Sequence, residues 1–518
     1  MALTKVTYAL IDGAPANVKD FGAIGDGVAD DTAAIQSAVN SSSNFIYFPQ
    51  GIFKITGTIT ISASKSLTGA GIWRTVIRQA TPNIDTFLFK PTTAGTTADF
   101  LNNVLIEQIQ ITHSDVVSTS TIGAGVRFLQ CNNYRLFQVT VNNAPEGITV
   151  QGGQLGSLKS FAIFVSSSLT PTTDTALLYF RQAPVGAGFQ PCYTVNVEDF
   201  HLSATLLRQT CVLIQNADGL NFTNGYIANG DYSLVQVRAE RDNSYVAAVA
   251  FTDVYMDCVG AGKTTNGAAI IEDGFANSFV YQFRIGSGCA IANGDEIGVL
   301  CTKIKTRLLS VEGTNIINMG KWGVYVDGDI ANHNIQIADC QFENVGDGTS
   351  GAIGVAGCKS LVVVGNIFDT ITNVLLNISG TVGRISVSGN ANNSNIADIA
   401  NGSTARAYLS GNSSALSTLS GNSWVTNNSF FVNQSVSFPV IAAGAYADLT
   451  ISVPRAKVND VCQVNYSSGT SLEALGSALL LYSAGVTSDG VVTVRAVNIG
   501  SGASAGNTLF LNVAIISR

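Results

Sequence analysis

Charged residues are scarce in this sequence: only 12% of its 518 residues are Asp, Glu, Lys or Arg, against roughly 25% in typical soluble domains. The 27 Lys and Arg and the 35 Asp and Glu give a formal net charge of −8. There is no basic cluster, so nucleic acid is not an expected partner. No apolar run approaches the ~18–20 residues that span a bilayer, so we expect no membrane insertion. The first residues also lack the apolar centre of a secretory signal.

Cysteine and histidine are few, and they do not form metal-binding patterns. The nine cysteines are an odd number, and no two of them have CxxC spacing. His113, His201 and His333 are isolated from one another. Most cysteines stand among apolar residues, which predicts small buried side chains. We therefore expect no disulfide framework, no metal site and no cofactor.

Glycine and β-forming residues are abundant, and short apolar segments recur about every 22–34 residues. Such a period predicts a solenoid in which each repeat forms one coil. About a dozen coils, stacked about 4.8 Å apart, account for the length of the repeat region. The segments begin near Gly125, Gly147, Ala176, Thr210, Ser233, Gly267, Glu296, Trp322, Gly351, Asn373 and Ile396.

Polar residues also recur after the second strand of successive repeats. Stacked Asn and Asp side chains can hydrogen-bond from coil to coil, so we expect a structural ladder at this turn. Its predicted members are Asp199, Asn224, Asp253, Asp339, Asn366, Asn390 and Asn412.

A short amphipathic helix is predicted over Thr32–Val39, with Ile35 and Val39 on its apolar face. Asp30 or Asp31 is placed to cap its N-terminus. A solenoid has open ends that need covering. We expect this helix to cover the first open sheet edge.

Three segments resemble pectate-lyase-like β-helix proteins, especially bacteriophage tailspikes. They are residues 18–39 (VKDFGAIGDGVADDTAAIQSAV), 45–56 (FIYFPQGIFKIT) and 66–78 (SLTGAGIWRTVIR). AYADLTISVPRAKVNDV, residues 445–461, resembles the C-terminal β domains of phage tail fibres and spikes. The resemblance implies an all-β protein: a right-handed parallel β-helix with an N-terminal helix cap, then a small antiparallel β domain. In that family such domains knit three chains together, so an intertwined homotrimer is expected.

Four regions follow from this reading. Residues 1–17 form a short arm, 18–105 the cap and first coils, 106–430 the central β-helix, and 431–518 a β-sandwich-like trimerisation domain. The expected location is the virion, with assembly in the host cytoplasm. Attachment to a phage tail or baseplate protein is expected through the N-terminus.

The tailspike resemblance implies recognition and cleavage of bacterial surface polysaccharide, either capsule or O-antigen. The NTD, GHG and RIK motifs of polygalacturonases with this fold do not occur in the sequence, so that chemistry is not supported. Hydrolysis needs two carboxyl groups, one as acid and one as base or nucleophile. Neighbouring coils place two such groups about 5 Å apart, and alternate coils about 9–10 Å apart.

One predicted turn column is rich in such residues, and Asp218 is assigned to its beginning. The catalytic candidates are Glu240, Asp242, Glu272, Asp273, Asp327 and Asp329. The candidates for binding sugar are Arg238, Arg241, Tyr245, Tyr281 and Trp322. A competing location is the flank of the second strand, with Glu198, Asp253, Asp257, Glu312, Asp339 and Glu343.

Three functional readings remain open on the sequence. The first is a tailspike that is a glycoside hydrolase and acts as a polysaccharide depolymerase, and the nearest alternative is a polysaccharide lyase of the same fold. The second is a receptor-binding tail fibre without enzymatic activity. The third is a secreted bacterial adhesin or pectin-degrading enzyme. The resemblance of the C-terminal sequence to phage spikes argues against it.

Overall fold

The structure is a computed structural model. It describes residues 13–95, 99–116, 119–165, 175–185, 188–204, 210–229, 233–238, 245–258, 268–273, 279–302, 308–327, 334–394, 398–401, 407–410, 412, 418–421, 424–426, 429–437, 439–453, 458, 460–466, 479–488, 490–499, 501 and 508–516.

The chain winds into a parallel β-solenoid of right-handed type with about 12 turns, as the repeat predicts. We call each turn a coil, and its strands lie on three faces. Face 1 is a sheet of 14 parallel strands. They are Ile59–Ile61, Phe87–Phe89, Ala124–Leu129, Glu146–Gln151, Ala176–Arg181, Thr210–Ile214, Val235–Arg238, Ala268–Asp273, Ile297–Thr302, Val324–Asp327, Ile353–Val355, Leu376–Ile378, Asp398–Asn401 and Thr418–Gly421.

Faces 2 and 3 are two parts of a single hydrogen-bonded sheet. Six long strands cross both faces: Leu101–Thr112, Cys131–Asn142, Gln154–Val165, Cys192–Ala204, Ala217–Ala228 and Tyr245–Asp257. Strands confined to face 2 are Ala16–Asn17, Phe45–Phe48, Ser66–Gly69, Phe279–Val280, Phe283–Ile285, Leu308–Glu312, Asn334–Ala338, Cys358–Val364, Val382–Ser388, Ala407–Ser410 and Trp424–Thr426. Strands confined to face 3 are Asp26–Asp30, Gly51–Ile55, Thr75–Gln79, Ala290–Gly294, Asn315–Met319, Gln341–Val345, Ile367–Ile371 and Ala391–Asn392.

The predicted column of Asn and Asp residues divides into two. Its earlier members occupy the bend between faces 2 and 3, where Asp199 and Asn224 have φ of 53° and 51°. Asn224 Nδ2 donates to Asp199 Oδ1 over 2.7 Å. The last three members lie one residue further along, where Asn366 donates to Asn390 (2.9 Å) and Asn390 to Asn412 (3.0 Å). The ladder prediction is confirmed, but it describes two positions rather than one.

The predicted helix is present as Thr32–Val39, after a short 3-10 helix, Val18–Phe21. Its Gln36 amide accepts from the backbone N–H of Thr60 and donates to the carbonyl of Thr60, both over 2.9 Å. Thr60 belongs to the edge strand of face 1, so Gln36 pairs with that strand as a neighbouring strand would. Whether the helix closes this end of the solenoid stays a prediction that these contacts support.

The two aspartates before the helix have different partners. Asp30 Oδ1 accepts from the N–H of Thr32 over 3.0 Å, in the manner of a cap. Asp31 is buried, and its carboxylate accepts from the N–H groups of Ile24 (2.6 Å) and Gly25 (3.1 Å). Asp30 therefore satisfies a helix N–H, and Asp31 fixes the preceding glycine-containing turn.

Antiparallel strands follow the last coil, as the sequence predicts. Ser429–Ser437 pairs with Trp424–Thr426 and with the final strand. Ile451, Val494 and Val513 belong to the separate apolar core of this region. Its strands are Ser429–Ser437, Tyr446–Ser452, Val461–Tyr466, Leu479–Ser488, Val491–Asn498 and Thr508–Ile516.

All nine cysteines are free and eight are buried, which confirms the prediction of small core residues. Burial raises the pKa of the Cys340 thiol to about 12, so it stays protonated and donates to the carbonyl of Val311 over 3.3 Å. Among the described residues, no helix is long and apolar enough to cross a membrane.

Tyr134 is buried, and its ring lies over Gly156 of the following coil. A Cβ at Gly156 would lie 2.2 Å from Tyr134 Cζ. Because buried rings have little room to move, we expect Gly156→Ala to destabilise the protein by about 1–3 kcal/mol, measured as a lower urea midpoint. Gly485→Ala is the matched control, since no atom lies within 4 Å of its Cβ position. Equal midpoints for the two variants would contradict the expected clash.

A buried ionic cluster links three successive coils near the start of face 1. Arg127 Nε contacts Asp85 Oδ2 over 2.8 Å, and Arg127 Nη2 contacts Glu146 Oε2 over 2.9 Å. The buried His113 ring stands beside this cluster, with Nε2 2.8 Å from Thr86 Oγ1. Burial, opposed by the negative charge of Asp85, lowers the pKa of His113 to about 4.

The buried His113 is expected to make the fold less stable in acid. In the unfolded chain the pKa of this histidine is about 6.5, so the ring is protonated below that pH. In the folded chain it stays neutral until about pH 4. The free energy of unfolding should fall by up to about 3 kcal/mol as the pH drops from 6.5 to 4. Above pH 6.5 His113 is neutral in both states, so this destabilisation is absent. Urea midpoints of the wild type and His113→Gln from pH 7 to pH 4 test this. The variant should show the shallower decline, and parallel curves would contradict the assignment.

Candidate functional site at the corner of faces 1 and 2

The last residues of the face 1 strands form a continuous polar column. Arg238 pairs with Asp273, and Thr302 pairs with Asp327. Because Glu272 pairs with Cys301, Asp273 and Thr302 are neighbours as well. In the earlier coils the column continues through Gln215, Arg181 and Gln151. We call it the strand-end column, and it lies where each coil turns from face 1 to face 2.

Two carboxylate residues stand two coils apart in this column. With sheet spacing of about 4.8 Å, the backbones of Asp273 and Asp327 are separated by about 9–10 Å. Thr302 lies between them, and the Asp327 side chain is exposed. Carboxyl groups about 6.5–9.5 Å apart leave room for a water molecule, as inverting glycosidases require. The predicted acidic column is therefore present at these two positions.

The register separates Glu272 from Asp273, which the sequence analysis treated as one group. Glu272 pairs with Val237 and Cys301, both buried in the solenoid core. Adjacent strand residues alternate between the two sheet sides. Glu272 thus shares its register position with two buried residues, and Asp273 follows one position later. Asp218 is also placed differently from the prediction, since it lies on face 2 and pairs with Tyr193 and Ala247.

Aromatic residues begin face 2 in the coils of Arg238 and Asp273, and Tyr193 does so two coils before Tyr245. The Tyr245 and Tyr281 rings are 5.9 Å apart at 74°, and Tyr281 stacks on Phe279 at 5.9 Å. Tyr193 Oη lies 3.5 Å from Tyr245 Oη. Burial, together with the hydrogen bond to Tyr245, raises the pKa of Tyr193. This phenol therefore stays protonated and is suited to donate hydrogen bonds rather than to act as a base.

A second aromatic pair lies on face 1 in the coil of Asp327. Trp322 and Tyr325 have ring centroids 5.6 Å apart. Both lie over Gly354, where a Cβ would come within 2.7 Å of Tyr325 and 3.1 Å of Trp322. Tyr325 stands two residues before Asp327, on the same outward side of the strand. The predicted sugar-contacting residue Trp322 is thus joined by Tyr325, which sequence reasoning missed although the period of two was readable.

Part of the predicted site lies outside the described residues. Arg238 ends its strand next to Asp273, and Tyr245 begins the next strand of the same coil. The remaining candidates, Glu240, Arg241, Asp242 and Asp329, fall in the segments that the structure does not describe.

The competing flank on faces 2 and 3 has mostly structural contacts. Glu312 accepts from Arg284 (2.8 Å) and from Ser310 (2.5 Å), and Glu198 pairs with Lys159 over 3.0 Å. Asp253 and Asp339 occupy bend positions with φ of 53°.

Other carboxylates of this flank also have hydrogen-bond partners. Asp257 accepts from Tyr226 and Asn293, and Glu343 accepts weakly from Gln341. A Cβ at Gly288 would lie 1.8 Å from Asp253 Oδ1, and one at Gly365 2.2 Å from Asp339 Oδ1. These bend carboxylates therefore cover the next coil, and the corner of faces 1 and 2 is the better candidate.

The fold and this corner define a β-solenoid protein with a polar, aromatic-flanked column along its axis. Residues 16–167 match the family model described as rhamnogalacturonase A/epimerase, pectate lyase-like. The tailspike of E. coli bacteriophage HK620, solved as a mutant in complex with pentasaccharide, has a TM-score of 0.62 at 12% identity, covering 99% of this chain and 96% of that one. The resemblance to pectate-lyase-like proteins and to the tailspike fold is thereby confirmed.

Two curated relatives match short segments. Mannuronan C5-epimerase AlgE2 of Azotobacter vinelandii is 42% identical over 73 residues, which is 12% of this chain and 7% of the epimerase. The pre-neck appendage protein of Bacillus phage B103 is 39% identical over 61 residues, which is 12% of this chain and 7% of that protein. The chain therefore spans only a small part of the length of either relative.

Proposed function

We propose that this protein is a phage tailspike that binds bacterial surface polysaccharide, capsule or O-antigen, and cleaves it by endo-acting hydrolysis. The observation that carries this is the position of Asp273 and Asp327 two coils apart in the strand-end column. Aromatic residues flank them on faces 1 and 2, as a site for sugar rings requires. The tailspike fold and the pentasaccharide bound to the HK620 protein support the choice of substrate.

In the proposed mechanism one of the two aspartic acids protonates the glycosidic oxygen as the bond breaks. The other carboxylate activates a water molecule on the opposite side of the sugar ring, so the anomeric configuration inverts. The protonated phenol of Tyr193, with Tyr245 beside it, donates hydrogen bonds to sugar oxygens. Glu240, Asp242 and Asp329 remain further candidates for the acid or base, and Arg238 and Arg241 for sugar contacts.

A polysaccharide lyase is the second candidate, and the comparisons favour it specifically. The family model is named for pectate-lyase-like proteins, and the matched relatives include mannuronan epimerases and alginate lyase 7 of Azotobacter vinelandii. Elimination would leave an unsaturated sugar on each new chain end. A binding fibre without catalysis is the third candidate, because its fold and column would be the same.

The assembly belongs to the proposal as well. We propose an intertwined homotrimer held by the C-terminal strands, and attachment to the phage tail or baseplate through the N-terminus. Support comes from the exposed apolar side chains of Val440, Tyr446 and Ile499 in the C-terminal region. The match to a phage pre-neck appendage protein supports a place in the virion.

Size-exclusion chromatography of purified capsule and O-polysaccharides, before and after incubation with the protein, tests the proposal. Short uniform products are expected from at least one polysaccharide. Product masses larger by one water per cleaved bond mean hydrolysis, whereas ultraviolet-absorbing ends without added water mean elimination. Bound polysaccharide that is never shortened would overturn the enzymatic proposal in favour of a binding fibre.

A further inference from the structure

An aromatic ladder runs along the outward side of face 3, away from the corner of faces 1 and 2. His201, Tyr226 and Tyr255 occupy the same position in three successive coils. The His201 and Tyr226 rings are 4.8 Å apart, and Tyr226 stacks on Tyr255 at 5.6 Å and 22°. The Tyr226 ring therefore has a neighbouring ring in the coil before it and in the coil after it.

The ladder ends abruptly after Tyr255. The next residue of the column is Ala290, and the one after it is Asn315, whose side chain is exposed. Tyr255 keeps 39% of its surface exposed, because Ala290 carries only a methyl group where the three preceding coils carry a ring. Tyr255 and Asn315 are two coils apart, about 9–10 Å along the axis. Rings in contact lie about 3.5–4 Å apart, so the space between the side chains of Tyr255 and Asn315 can hold one further ring. We call this place the Tyr255 notch.

The described polar groups beside the notch are a carboxylate and two amides. Asp257, two residues from Tyr255, accepts from Tyr226 Oη over 3.2 Å and from Asn293 Nδ2 over 3.1 Å. Asn318 donates to Asn293 and extends this row over 2.9 Å. Lys and Arg do not occur at the described outward positions of face 3 between Gln110 and Ala391. These positions are Gln110, Thr112, Thr140, Asn142, Ala162, Phe164, His201, Ser203, Tyr226, Ala228, Tyr255, Asp257, Ala290, Ala292, Asn315, Ile317, Gln341, Glu343, Ile367, Asp369 and Ala391.

We propose that the Tyr255 notch binds one uncharged pyranose ring of a polysaccharide, as a glycan site separate from the cleavage site. The apolar face of the sugar stacks on Tyr255 over Ala290, and Asn315 hydrogen-bonds its hydroxyl groups. The Asp257 carboxylate, two residues from Tyr255, disfavours a uronate or other acidic sugar by like-charge repulsion. The inference rests on the proposed function only in that the protein acts on polysaccharide. A second contact would keep the polymer on the solenoid surface while another segment is cleaved.

Calorimetric titration of the full chain tests the notch directly. The probes are hexasaccharides of glucose, mannose, galactose and N-acetylglucosamine, with mannuronate and galacturonate hexasaccharides as anionic counterparts. The titrations use Asp273→Asn/Asp327→Asn, so that no probe is consumed. At least one uncharged probe should bind with one site per chain that Tyr255→Ala weakens about fivefold to tenfold. Ala290→Phe should remove that site, because its ring occupies the sugar position.

Ile367→Ala is the matched control, because Ile367 is an exposed apolar residue of the same column with no ring beside it. It should change the affinity less than twofold. The proposal is overturned if only the anionic probes bind, if no probe binds, or if Tyr255→Ala and Ala290→Phe leave the number of sites unchanged. It is also overturned if these variants alter the oligomeric state in light scattering, because the notch would then contact a second chain. A site that depends on Tyr255 in a protein that cleaves nothing would refute the proposed hydrolase and leave the notch standing.

Discussion

Asp327→Asn and Asp273→Asn are each expected to slow polysaccharide cleavage by about 10²–10⁴-fold, the usual contribution of a general acid or base. Asn keeps the shape of the side chain but neither donates nor accepts the catalytic proton. The double variant should be little worse than the slower single variant, because residues that act together are not additive. Reducing-end release from the polysaccharide that the wild type shortens measures the effect.

Asp295→Asn is the control for this pair. Asp295 is an exposed carboxylate between faces 3 and 1, away from the strand-end column. It should retain activity within about twofold, since surface changes away from the site have small effects. Cleavage within threefold of wild type for both column variants would refute the assignment. The search would then move to Glu240, Asp242 and Asp329, or to the flank of Glu312.

Arg127→Leu is expected to destabilise the fold by about 3–5 kcal/mol, the range found when one partner of a buried ion pair is removed. The side chains of Arg127, Asp85 and Glu146 are only 15%, 14% and 6% exposed. Asp85 also accepts a hydrogen bond from the N–H of Ala124, and Glu146 accepts one from Thr149 Oγ1. Either carboxylate would have to break such a bond to rotate toward solvent. The leucine would leave two buried negative charges close together, which the urea midpoint should report.

Arg495→Leu provides the matched comparison for this prediction. Arg495 pairs with Asp448 on the C-terminal sheet, where both side chains are 39% exposed. Water screens an exposed pair, so it contributes little to stability and the midpoint should barely move. Similar losses for the two variants would show that burial does not set the strength of the Arg127 cluster.

The periodic parts of the fold could be predicted because each is specified by nearby residues. The helix Thr32–Val39 follows from apolar spacing, and the C-terminal strands follow from alternation over six or more residues. All eleven predicted segment starts correspond to strands of face 1. The strands Ile59–Ile61, Phe87–Phe89 and Thr418–Gly421 were missed, because three or four residues are too few to show a period.

The candidate site shows where sequence reasoning stops. Acidic residues at the ends of repeats indicated the strand-end column, and Asp273 and Asp327 do fall within it. The sequence alone could not reveal that Glu272 is in register with the buried Val237 and Cys301, nor that Asp218 belongs to face 2. Tyr193 was missed because its neighbour Tyr245 is 52 residues away in the chain.

The sequence by itself determined the solenoid, its approximate number of coils and the polar character of its turns, since hydrophobic period and turn residues act locally. Only the tertiary structure decided which residues of different coils become neighbours. Loops of unequal length separate the coils, and a shift of one residue moves a side chain to the other sheet side. The register of the stacked strands therefore decided which carboxylates line the corner, and where the ring ladder of face 3 ends.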